Sequence, residues 1–149
     1  MAHVDLSLSE LYEAEQPRDR FEGSLDLWSF AAGAANEPCV LVDAAGIVVS
    51  VSPACGPLFG IDPAEVTGRP LVDGVLRLLD FNRVSGELPG WEVDKIPPLL
   101  ALTTGGLARG LIRVPGIAGG ISTVDAISVP LRDGADVVGS LTFFALVTR

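Results

Sequence analysis

Two β-branched runs that meet across a short glycine-bearing turn limit this chain more than any other feature. Cys39-Val40-Leu41-Val42-Asp43, Ala44-Ala45-Gly46 and Ile47-Val48-Val49-Ser50-Val51 read as a hairpin. Three further strand runs lie at the far end, Arg109 to Val114, Gly120 to Leu131 and Asp136 to Thr148, parted by the loops at 115–119 and 132–135. Between the two groups the pattern is one of short helices. This order predicts an α+β fold in which the second half closes a five-stranded antiparallel sheet begun by Cys39 to Val51, with helices packed over one side.

The intervening helices carry their own punctuation. Ser52 fits an N-cap with Pro53 as the first helical residue, and Gly60 ends that helix. Asp62-Pro63-Ala64-Glu65 restarts a helix in the same way, and Gly68 stops it. Leu71 to Leu79 predicts another turn or two, Asp80 to Gly90 a surface loop, and Ile96 to Leu107 a buried helix that ends at Gly105-Gly106. Ahead of the hairpin, residues 1–36 read as an acidic helical extension to a domain spanning 37–149. Ser7 and Glu10 have the form of a capping box for a helix near 7 to 16 that carries Leu8, Leu11 and Tyr12. A second helix, Leu25 to Ala35 behind Ser24, presents Leu27, Phe30, Ala31 and Ala34 on one side. Either apolar stripe can pack on its own domain or on a second copy.

Charge and cysteine usage remove several classes of function. Eight of the nineteen acids lie in residues 1–37, and the net charge of -9 argues against a phosphate backbone as partner. No apolar run approaches the roughly 18 residues of a spanning helix, and the first thirty residues are acidic where a secretory signal is basic, so the expected location is cytoplasmic, without membrane contact. Cys39 and Cys55 are too few for a disulfide framework and match no zinc spacing, so they read as core thiols and no metal site is expected. With one lysine, Lys95, against nine arginines and abundant Ala, Gly and Val, the composition suggests a GC-rich bacterial source.

The order of elements, together with particular residues, resembles the PAS family. The first half matches through Pro38, Val42-Asp43, Gly46-Ile47, Ser52-Pro53-Ala54, Leu58-Phe59-Gly60, Pro63-Ala64-Glu65-Val66 and Gly68-Arg69-Pro70-Leu71. The second half matches through Val129-Pro130-Leu131-Arg132-Asp133, Val138-Gly139-Ser140 and the apolar last strand. Where members coupled to a downstream effector often finish in Asp-Ile-Thr, this chain has Leu146-Val147-Thr148. Output is therefore expected to pass through association, as a homodimer or with a signalling protein, with Leu8, Leu11, Tyr12, Leu27 and Phe30 as the candidate contact residues.

The resemblance also implies a cavity between the sheet and the long helix. Its expected wall is Leu99, Leu102, Thr103, Ile112, Val114 and Phe143, residues that read equally well as plain core. Heme is disfavoured because the one histidine, His3, stands in the amino-terminal tail. A covalent flavin is disfavoured because no Asn-Cys-Arg-Phe motif occurs, whereas a non-covalent small apolar ligand or flavin stays open. No nucleophile-and-base pair can be assembled, so no enzyme activity is expected.

Overall fold

The structure, a computed structural model, describes residues 24–80, 86–116 and 119–147. The helix expected near 7 to 16, with Leu8, Leu11 and Tyr12, lies outside the described residues. The chain runs α1 (Ser24–Ala34), β1 (Cys39–Asp43), β2 (Val48–Val51), α2 (Cys55–Phe59), α3 (Pro63–Val66), α4 (Leu71–Gly74), α5 (Gly90–Val93), α6 (Pro97–Thr104), β3 (Ala108–Pro115), β4 (Ile121–Asp133) and β5 (Asp136–Leu146). The strands form one five-stranded antiparallel sheet, as the sequence predicts, and their order is β2-β1-β5-β4-β3.

Local chemistry explains the hairpin. The Asp43 carboxylate accepts from the backbone N–H of Ala45 (2.9 Å) and of Ile47 (3.0 Å), which mimics a turn of backbone bonds. Gly46 takes φ 80°, a left-handed conformation that a side chain would strain. Asp62 caps α3 as expected, accepting from the Ala64 N–H at 3.0 Å.

Ser52 departs from expectation. The residue at the head of α2 is Ala54, which makes no side-chain cap, while the Ser52 hydroxyl donates to the Glu37 carbonyl (2.6 Å) and accepts from the Cys39 N–H (2.9 Å). A buried hydroxyl takes the partners that need it most, and here those are the orphan backbone groups where β1 begins. The stretch from Leu71 also differs. Only one distorted helical turn forms, because Val72 is extended and Asp73 takes φ 71°, and Leu76 to Asp80 then runs alongside other segments as isolated bridges.

Both faces of the sheet carry packed helices. On the inner face Val40, Val42, Val48, Ile112, Val124 and Phe144 pack against Val66, Leu71, Leu76 and Ile96 from the helical region. On the outer face α1 lies in cis, its Ala32 buried against Leu41, Leu131 and Leu141. α1 has two apolar stripes, and the sheet takes the slimmer one, Leu25 and Ala32, followed by Ala35 just past the helix, which allows close approach. The bulkier Leu27 and Phe30 are turned outward. Three buried hydroxyls on the inner face are paired: Ser128 and Thr142 share a 2.6 Å hydrogen bond, and Ser140 donates to the Pro98 carbonyl of α6 at 2.8 Å. At the far end of α6, the Arg132 guanidinium donates to the Gly105 carbonyl (2.6 Å).

Gly139 marks the tightest crossing in the fold, since a Cβ there would strike the Val42 carbonyl oxygen of β1 and crowd Leu25 of α1. Gly139→Ala is expected to cost about 2 kcal/mol, because backbone cannot yield as a flexible side chain does. Gly120→Ala, which meets nothing within 4 Å, is the matched control. Urea denaturation of both variants checks this, and equal midpoints would contradict the crowding at β1.

Candidate functional site

Two surfaces and one cleft are candidates for function. The first surface is the outward side of α1, where Leu27, Trp28 and Phe30 are 40%, 44% and 66% exposed. The second is the part of the outer sheet face that carries Leu111 and Phe143, also largely exposed. Beside them Arg109 and Asp125 form a two-pronged ion pair, with nitrogen–oxygen distances of 2.7 and 3.2 Å. Hydrogen bonding from Arg109 holds the Asp125 carboxyl below its ordinary range.

The cleft, of about 240 Å³, lies between the start of α6 and β3. Its apolar part includes Leu88, Pro97, Leu100 and Ile112, and its charged members are Glu92, Lys95, Arg109 and Arg113. Arg113 donates to the Asp80 carbonyl at 2.8 Å, tying the edge of β3 to the segment that follows α4. A second hollow is bounded by Leu58, Ser122 and Leu146.

Among curated proteins, no sequence match is found. A family model described as the PAS fold matches residues 28–77, from within α1 to beyond α4. The PAS domain of a protein from Colwellia psychrerythraea superposes with a TM-score of 0.58 at 20% identity, over 83% of this chain and 97% of that one. The PAS domain of BvgS from Bordetella pertussis gives 0.56 at 13% identity, over 84% and 86%. This is the PAS fold. VqmA of Vibrio cholerae, a dimer with a target DNA, gives 0.57 at 17% identity, and the match spans 84% of this chain but about half (52%) of that protein.

The cavity implied by the PAS resemblance is not assembled from the six expected residues. Ile112 and Val114 are buried in the inner core, and Leu99 and Leu102 pack against it. Thr103 is exposed on α6, its hydroxyl donating to the Leu99 carbonyl at 3.3 Å. Phe143 stands on the outer face at 43% exposure, and its neighbour Phe144 is the aromatic that enters the core. There Phe144 meets Phe59 edge to face with ring centroids 4.9 Å apart. Of the six, only Ile112 borders the cleft. Leu100 and Arg113 were legible as helix and strand residues, but nothing in their spacing says that they line one cleft.

Among the described residues no group of three His, Cys, Asp or Glu converges as for a metal ion, and no helix is long and apolar enough to cross a membrane. Cys39 and Cys55 are both wholly buried, on opposite faces of the sheet. Burial pushes the Cys39 thiol up, and pushes Cys55 up to about 11 from an ordinary value of 9.0.

The folded chain therefore keeps protons that the unfolded chain releases above about pH 9. Stability carried by the neutral thiols is complete below that pH and is lost as pH rises toward about 11. Denaturation midpoints are expected to fall across this window, more shallowly in a Cys55→Ala variant, and native thiols are expected to resist an aromatic disulfide reagent until the chain unfolds. Rapid labelling of either cysteine in the folded protein would contradict this.

Proposed function

We propose that the protein is a non-catalytic sensory and signalling domain of the cytoplasm that works by association, assembling as a homodimer and docking a signalling partner. The observation that supports this reading is the outward stripe of α1. The helix is already fixed to the sheet through Ala32, yet it keeps Leu27, Trp28 and Phe30 substantially in water. Large aromatic side chains held on a fixed helix are the usual anchors of a protein interface. The exposed Phe143 and Leu111 add apolar surface on the same side of the sheet. The PAS family is one of sensory and signalling domains, and VqmA, a relative in fold, forms a dimer. In this reading the net charge of -9 sets nucleic acid and anionic membrane aside as partners.

Sedimentation analysis of the full chain tests the reading directly. A dimer is expected in the micromolar range, and Leu27→Glu with Phe30→Glu is expected to weaken it at least about tenfold while the circular dichroism spectrum stays unchanged. A strict monomer at high micromolar concentration would remove self-association from the proposal.

The cleft beside α6 supports a second reading, a sensor for a small and largely apolar ligand held without heme, metal or a covalent flavin. Its mixture of aliphatic walls with a few charged groups is the common form of such sites. Native mass spectrometry of the purified protein, compared with the denatured mass, is expected to show a non-covalent adduct under this reading, and Leu100→Trp is expected to displace it. An adduct-free spectrum at every preparation counts against the sensor.

A further inference from the structure

The turn from Leu71 to Leu76 carries a backbone strain that the neighbouring elements avoid. Val72 (φ -76°, ψ 131°) and Asp73 (φ 71°, ψ -24°) take the two central conformations of a type II turn, whose second position suits glycine. Asp73 is the one non-glycine residue with a left-handed backbone among the described residues. The surroundings impose that conformation. Leu71 and Leu76 are wholly buried in the inner core, and the Leu71 carbonyl accepts from the N–H groups of Val75 (3.0 Å) and Leu76 (2.9 Å). The Asp73 N–H donates in turn to the Leu76 carbonyl at 2.8 Å. Buried neighbours thus fix the path of the chain, while Asp73 itself is exposed and Gly74 follows it.

An aspartate placed before glycine can close on its own backbone. The Gly74 amide nitrogen attacks the side-chain carboxyl carbon of Asp73, a C–N bond forms, and one carboxyl oxygen leaves as water with the amide proton and the carboxyl proton. The product is a cyclic imide. Water then opens either of the two C–N bonds in that ring. One opening restores aspartate, and the other yields isoaspartate, in which the chain runs through the side-chain carboxyl carbon and the former main-chain carboxyl becomes the side group. The overall mass is unchanged, and water is the only co-reactant. Glycine favours the attack because no side chain shields its nitrogen, and its permissive torsions absorb the rotation that Asp73 needs about its Cα–C bond. Isoaspartate adds one CH2 to the main chain, so the turn can be spanned without the left-handed strain.

The chain holds two Asp-Gly pairs, and the fold treats them differently. At Asp133-Gly134 the left-handed residue is the glycine (φ 64°), and Asp133 is held in the β4 ladder opposite Asp136. That turn stores no strain in its aspartate, and rotation of Asp133 would break into the hairpin. We propose that Asp73 is a site of spontaneous isomerisation in the folded protein, through an imide at Asp73-Gly74, and that Asp133 is spared. The inference depends neither on the α1 surface nor on the cleft.

For the test, the full chain is held at neutral pH for several weeks beside a parallel sample in concentrated urea. Both are digested with a protease that cuts before aspartate and not before isoaspartate. A peptide of unaltered sequence mass, uncut at residue 73, is expected from the folded sample at least about threefold above the matching product at residue 133. In urea the two sites are expected to react alike, since each precedes glycine. Asp73→Gly is expected to raise the urea midpoint, because it removes the strain at the second turn position.

The proposal is overturned if the folded chain yields no isoaspartate at residue 73, or as much at residue 133. It is overturned as well if the preference for residue 73 persists in urea, which would assign it to local sequence and not to the turn. A fall in midpoint for Asp73→Gly has the same force, since no strain would then be there to release. The comparison within the parent chain stands even if that variant fails to fold.

Discussion

The pairing of β1 with β5 holds the two halves of this molecule together. Cys39 to Asp43 lies in register with Phe143 to Gly139, so segments about a hundred residues apart form the middle of one sheet. Everything else hangs on that seam: β2 extends it on one side, β4 and β3 on the other. Cys39 to Val42 are buried from both faces, with Val40 and Val42 toward the helical layer and Cys39 and Leu41 toward α1. Register is therefore strongly specified, because a slip of one residue would exchange the two sets. The buried hydroxyls of Ser128, Thr142 and Ser140 reinforce it, since each would lose its partner in any other alignment.

Much of this was legible in the sequence, for identifiable reasons. Strand runs rich in Val and Ile, a turn at Gly46, and Asp62 before Pro63 each state a local preference that the tertiary structure honours. Phe143 failed for an equally physical reason. The last strand is apolar on both faces, so alternation does not say which of Phe143 and Phe144 points inward, and only the partners across the sheet decide. Ser52 misled in another way, because the same hydroxyl can cap a helix or satisfy strand backbone, and burial settled the competition in favour of Glu37 and Cys39. For α1 the sequence displayed the apolar stripe of Leu27 and Phe30, whereas the sheet selected the narrower one centred on Ala32.

The candidate site was the least legible part. Its wall joins residues from α6, the segment after α4, and β3, and their convergence follows from topology and not from any spacing along the chain. Phe59 and Phe144 meet at the inner core, a contact that no spacing along the chain announces. The cleft among the described residues lies beside β3, at the margin of the sheet.

Ser140 and Leu141 give the architecture a mechanical property. The Ser140 hydroxyl grips α6 at Pro98, and the next residue, Leu141, forms the pad on which α1 rests. The two helical layers are thus anchored to adjoining residues of one central strand, with a single peptide plane between them. Tilting α6 would pull on that plane, and α1 could not hold its seat unless the strand twisted to compensate.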